Sequence, residues 1–389
     1  MAERRPKITL QPDVLRWARE RAGFAPAELA GKLQVKPERV FEWERSGEIT
    51  MSQVRKLAQR TYTPEGYLFL DAPPDDSLPI ADFRTVGDHP LVRPSPDLLD
   101  TIYQMQRRQD WMREELLIEE AHPLEFVGAF NGSTDFEDVA DGMREALTLG
   151  PGWASRNPTW YAALRFLRNR IEEAGVLIFI NGVVGNNTHR RLDPDEFRGF
   201  ALIDEYAPLI FINNADFTSA QMFTIAHELA HVFVGAEGVS NFDALLPSGH
   251  EAESFCNNIA AEFLVPHADL EELWPTIEKD EEPYQKIARK FKVSVIVAAR
   301  RTLDLGLVDQ ERYFEFYDKY LADERRQKES RAGGGDFWNN QNVRLGRRFG
   351  SAVARAVKEG RLLHREAYRL TDLRGDSFES MPEKMGMRL

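Results

Sequence analysis

One segment constrains this chain more than any other: FTIAHELAHVFVG, residues 223–235. Its apolar residues Phe223, Ile225, Ala226, Leu229, Ala230, Val232 and Phe233 fall nearly all round a helix, so the helix must be buried on most sides. Three polar residues, His227, Glu228 and His231, sit in its middle. Buried polar groups without partners are costly, so the fold around this helix has to satisfy two imidazoles and a carboxylate. Residues four apart share a helix face, which sets His227 beside His231 with Glu228 one position along. Two neutral nitrogen donors and an adjacent carboxylate suit one Zn2+ and a water. We therefore read His227 and His231 as metal ligands and Glu228 as the general base that takes a proton from the water.

Zinc of this kind requires a third protein ligand and one open position. Within residues 244–266, ALLPSGHEAESFCNNIAAEFLVP, the candidates are Glu251, Glu253 and Glu262. Glu253 is preferred, with Glu251 next, because Asn257 lies one turn beyond Glu253 on the same face and can orient a ligand histidine. His250 is a further candidate, either as ligand or as stabiliser of a tetrahedral oxyanion, and Tyr206 is a candidate for the second role.

The rest of the pattern is mostly helical. Residues 12–62 read as four short amphipathic helices, with Leu15, Ala18, Leu29, Leu33, Val40, Trp43, Val54 and Leu57 at helical spacing. DAPPDDSLPIADF then reads as an extended linker and SRAGGGDF as a glycine hinge. Three runs, GVLIFI, GFALIDE and PLIFINN, are short, rich in Ile, Leu and Phe, and bounded by turn residues, so they read as strands. The metal helix is expected over residues 216–235, with Thr218 and Gln221 forming a capping box. The expected fold is α+β: a mostly helical multidomain chain with a small sheet beside the metal helix. Its expected parts are residues 1–62, a connector over 63–148, the metal domain over 149–270 and a helical region with a basic tail over 271–389.

Charge bears on partners. The chain of 389 residues has a net charge of -13, which argues against nucleic acid for the molecule as a whole. The excess is uneven, however: residues 1–60 carry +5 and residues 325–374 carry +8, leaving -26 elsewhere. DNA contact therefore stays open at the head, while the amphipathic basic tail is expected to meet the chain's own acidic middle or a partner protein. A single cysteine, Cys256, excludes an internal disulfide and a cysteine zinc cluster. No apolar run approaches the length of a membrane span, so the expected location is the cytoplasm.

FTIAHELAH followed by ESFCNNIAAEFLVP resembles the ImmA/IrrE metallopeptidases, whose second helix carries E-x-x-(A/C)-N-x-x-A-A-x-x-L-x-P. Glu253, Cys256, Asn257, Ala260, Ala261, Leu264 and Pro266 fall on that pattern. The resemblance implies a zincin-like domain in which Glu253 joins His227 and His231 on the zinc, with Glu228 as catalytic base. It implies, as substrates, helix-turn-helix repressors cut after stress or induction.

Residues 13–58 also resemble the helix-turn-helix of XRE-type repressors, with AELAGKLQ as second helix and KPERVFEWE as third, and with Gly47 one position later than usual. That layout sets Lys36, Glu38, Arg39 and Glu42 toward a major groove and Arg45 near phosphates. The two glutamates oppose DNA binding.

The expected activity is thus zinc-dependent endopeptidase cleavage of a helix-turn-helix repressor or similar regulator, the substrate strand pairing with an edge formed by PLIFINN. Further expected partners are DNA through residues 1–62 and a second copy of the chain. The alternative is a DNA-binding transcription regulator or antitoxin-like protein whose zinc domain is a sensor or remnant.

Overall fold

The computed structural model describes residues 6–74, 94–214, 218–236, 238–240, 251–327 and 337–387. The chain divides into two compact units, Met1–Pro79 with His89–Tyr103 and Ile80–Asp88 with Gln104–Leu389. Most of the expected linker and glycine hinge lie outside the described residues.

In the first unit a strand β1 (Lys7–Thr9) precedes α1 (Pro12–Arg21), α2 (Pro26–Leu33) and α3 (Pro37–Ser46). Strand β2 (Glu48–Thr50) and α4 (Met51–Arg60) follow. Proline at the first turn of α1, α2 and α3 fits the one place where its missing N–H is harmless. The apolar faces close a core on Val14, Leu29, Val40, Trp43 and Val54. Two small features were not expected from the sequence. β1 and β2 pair antiparallel, Ile8 opposite Ile49, and the buried Glu44 carboxylate accepts from the Arg19 guanidinium at 2.5 and 3.0 Å.

Helix α5 (Pro96–Ile118) leads toward α6 (Phe136–Ala146) and α7 (Trp160–Ala174). Thr159 caps α7 by accepting from the amide of Ala162. The strands are β3 (Leu177–Asn181), β4 (Val183–Val184), β5 (Asn187–Arg191), β6 (Gly199–Leu202), β7 (Leu209–Asn213) and β8 (Gly238–Ser240). Helix α8 (Thr218–Val234) lies between β7 and β8, and α9 (Glu251–Leu264) follows. The side chain of Thr218, and with it the expected capping box, lies outside the described residues.

The three expected strands are present, but their order corrects one expectation. The sheet runs β3-β7-β6-β8. β7, the PLIFINN strand, pairs parallel with β3 and antiparallel with β6. Both of its edges are used, so it offers none to a substrate. Its five consecutive buried residues suit an interior strand and would be a hazard at an edge.

Helices α10 (His267–Ile277), α11 (Pro283–Phe291), α12 (Val295–Asp304) and α13 (Gln310–Gln327) extend the same core through Trp274, Ile287, Val297 and Tyr313. The last group is α14 (Phe337–Arg344), α15 (Arg347–Lys358), α16 (His364–Thr371), α17 (Asp376–Glu379) and α18 (Met381–Lys384). α14 packs on β3. At the start of α15, Glu172 of α7 accepts the amides of Arg347 and Arg348 at 2.7 and 3.1 Å.

The basic tail thus meets the chain's own acids. Arg361 pairs with Glu115, and Arg355 with Glu119 at 3.1 Å. Among the described residues no helix is long and apolar enough to cross a membrane. The whole is a mostly helical α+β chain with a small mixed sheet.

Candidate metal centre

The sheet and two helices build the site. α8 packs against β6 and β7 on one side and against α9 on another, which buries its apolar residues and with them His227, Glu228 and His231. The Nε2 atoms of His227 and His231 lie 3.0 Å apart. Glu253, in the first turn of α9, brings Oε2 to 3.2 Å from His227 and Oε1 to 3.5 Å from His231.

These spacings test whether zinc fits. Ligand atoms about 2.0–2.1 Å from a tetrahedral ion stand about 3.3 Å from one another, and the three observed separations bracket that value. The donor set is also right: two imidazoles and one carboxylate, with donor atoms mutually within 4.8 Å. Glu253 is half-buried while both histidines are enclosed, so the site opens to solvent on the Glu253 side. The residues present fit the ion.

Electrostatics agrees. His231 Nδ1 stands 3.1 Å from the Ala236 carbonyl, a contact that places the proton on Nδ1 and leaves the Nε2 lone pair facing Glu253. Burial and the neighbouring His227 lower the His231 pKa to about 4, which keeps its ring neutral. At His227 burial also works downward, but the hydrogen bond to Glu253 and the charges of Glu228 and Glu253 outweigh it and raise the pKa. Asn257 lies near the same ring and adds to that rise. Cys256 lies 3.8 Å from His231 Nδ1, and burial pushes its thiol far up, which leaves it a neutral packing group.

Glu228 is fully buried. Its Oε1 lies only 2.8 Å from where a β-carbon on Gly199 would stand, so the absence of a side chain on β6 makes the space for this carboxylate. That role of Gly199 was not read from the sequence. The available signal was a glycine opening an apolar strand, which marks a close approach.

The other expected site residues separate. Glu262 points away from the metal cluster and is held by Arg301, by Arg144 at 3.8 Å and by His267 Nδ1 at 3.2 Å. Tyr206 is not brought to the cluster. It sits in the β6–β7 turn beyond Leu202, the opposite end of β6 from Gly199. There Asp204 accepts its amide, and its ring lies 5.7 Å from the Arg113 guanidinium carbon. His250 and the side chain of Glu251 lie outside the described residues.

In the first unit Lys36 and Arg45 are exposed, and Arg39 donates to Glu42 at 2.5 Å. That pairing neutralises one of the three cations expected to face DNA.

Residues 171–303 match the family model of the IrrE N-terminal-like domain, a peptidase family. This stretch of the chain is similar to domains of the ImmA/IrrE type, and it holds every residue of the metal cluster. A second family model, a domain of unknown function (DUF8813), matches residues 345–384, the α15–α18 group. No curated protein and no solved structure matches the chain. The amino-terminal helices lie outside both matched stretches.

Proposed function

We propose that the chain is a cytoplasmic zinc-dependent endopeptidase acting on a folded regulatory protein, a helix-turn-helix repressor being the favoured class. The observation that carries this reading is the convergence of His227, His231 and Glu253 at tetrahedral spacing beside the buried Glu228. The match to a peptidase family over the same residues supports it.

In this reading His227, His231 and Glu253 hold the ion, which supplies Lewis acidity toward a peptide carbonyl and a water. Glu228 accepts the proton of that water and returns it to the leaving amine. Its burial against β6 fixes where the carboxylate waits, and Gly199 keeps that position open. The Ala236 carbonyl and Asn257 hold the two imidazoles in orientation.

The amino-terminal helices then serve recognition. α2 and α3 are joined by three residues, as in a helix-turn-helix. With Glu38 exposed and Arg39 tied to Glu42, this unit suits contact with a protein at least as well as contact with DNA. The test is metal analysis and cleavage together. The purified chain should hold one zinc, lose it in His231→Ala, and keep it in Glu228→Gln without peptidase activity. An active Glu228→Gln protein would remove the peptidase reading.

A further inference from the structure

The edges of the sheet point to how this site is restrained. A peptide cut beside Glu228 has to lie extended along a backbone edge that passes it. β7 is interior, and the far side of β3 is covered by α14 and by Gly346, where a β-carbon would meet the Ile178 carbonyl at 2.9 Å. The outer edge of β8 stands one strand further from Glu228, so the edge that passes the carboxylate directly is that of β6, the strand whose Gly199 lies against it.

That edge is taken. β8 pairs antiparallel along it, Ser240 opposite Gly199, Val239 opposite Phe200 and Gly238 opposite Ala201. The residue beside Gly199, and so next in line to Glu228, belongs to the chain itself. β8 begins four residues after α8 ends, so the occupant is tethered to the metal helix. It also begins with glycine, a poor strand former. A substrate strand richer in β-branched residues therefore pairs at least as well as the segment it displaces.

We propose that Gly238–Ser240 is a resident strand holding the substrate edge of β6 closed, and that an extended segment of the substrate protein replaces it, antiparallel to β6, before cleavage. This rests on the zinc-peptidase reading above. The resident strand also gives a physical basis for narrow action, since a short or weakly pairing peptide fails to open the edge.

The test uses zinc-loaded full-length protein and two probes: acetohydroxamate, which reaches only the metal, and a tripeptidyl hydroxamate, which also requires the β6 edge. Two variants change β8. Gly238→Pro with Val239→Pro removes two successive amide donors, one of which faces β6 because successive amides alternate. Ala201→Cys with Gly238→Cys ties β8 to β6 through a disulfide, and comparing its oxidised and reduced forms needs no other folded variant.

The expected result is at least tenfold tighter binding of the peptidyl probe by the proline variant. The oxidised cysteine variant should bind it at least tenfold more weakly and recover on reduction, with acetohydroxamate binding alike in all forms. Equal affinity of the peptidyl probe for every form, with acetohydroxamate still bound, overturns the resident strand alone. Failure of acetohydroxamate to bind the zinc-loaded wild type overturns the metal reading and this proposal with it.

Discussion

The carboxylate of Glu228 rests against Gly199, 2.8 Å from the position of an absent β-carbon. A residue on a helix and a residue on a strand thereby define one another: the glycine makes the room, and the glutamate fills it. The Phe211 carbonyl and the Thr224 methyl lie at 3.0 Å from the same point, so of the three close neighbours the Glu228 carboxylate is the one most free to move. Gly199→Ala should therefore displace the carboxylate while leaving the three metal donors in place. The expected outcome is a fall in cleavage of about 100-fold, the usual cost of a misplacement near 1 Å, with unchanged zinc content by plasma mass spectrometry.

Glu253 and Glu262 separate metal binding from stability. Glu253→Gln should weaken zinc binding by about 100-fold or more, beyond the range that outer partners command. Glu262→Gln should leave zinc stoichiometry intact but unpair the buried Arg301, costing about 3–5 kcal/mol of stability. Zinc titration and denaturant unfolding of both proteins check the contrast, and the opposite pattern would reassign the third ligand.

The Glu172 carboxylate gives a pH signature. Burial raises its pKa, against the lowering influence of Arg168 and of the Arg347 and Arg348 amides. A carboxyl whose folded pKa lies above the unfolded value favours folding when protonated, so its contribution worsens as pH rises from the unfolded pKa through the folded one. Glu172→Gln removes that dependence. The stability of the variant minus that of the wild type should thus be more positive at pH 7 than at pH 4, measured by urea unfolding at both. A difference that falls between pH 4 and pH 7 would contradict the direction.

The basic tail is the subject of a fourth test. Arg361 meets Glu115 on α5 and Arg355 meets Glu119 just beyond its end; the Arg361 guanidinium is partly exposed and its Glu115 partner is buried. Arg361→Ala should therefore destabilise the protein by about 1–3 kcal/mol, the cost of a charged acceptor left without its donor. Arg355→Ala should cost no more than about 1 kcal/mol, as exposed pairs do. Thermal unfolding of the two variants checks the order.

The sequence made the metal helix, the three apolar strands and the amino-terminal helices legible because each is a periodic or continuous apolar pattern. It left β1, β2, β4, β5 and β8 unread. β5 is the polar, largely exposed NTHRR, and β1, β2 and β4 span two or three residues, too few for a period to emerge. Strand order was unread as well, since pairing is a long-range property, although the uniform burial of PLIFINN carried a hint. The third ligand was half legible. Nine residues turn a helix by about two and a half revolutions, so Glu253 and Glu262 had to face opposite ways. Which of them faced the metal depended on Arg301, 39 residues further along the chain.

The central claim is that Glu228 is the base of a zinc peptidase held by His227, His231 and Glu253. The most direct measurement compares the new protein amino termini that arise in host cells expressing the wild-type chain or Glu228→Gln, with both proteins assayed for zinc. The account requires one or a few new termini in a regulatory protein with the wild type and none with the variant, at equal zinc content. The same termini appearing with zinc-loaded Glu228→Gln would contradict it.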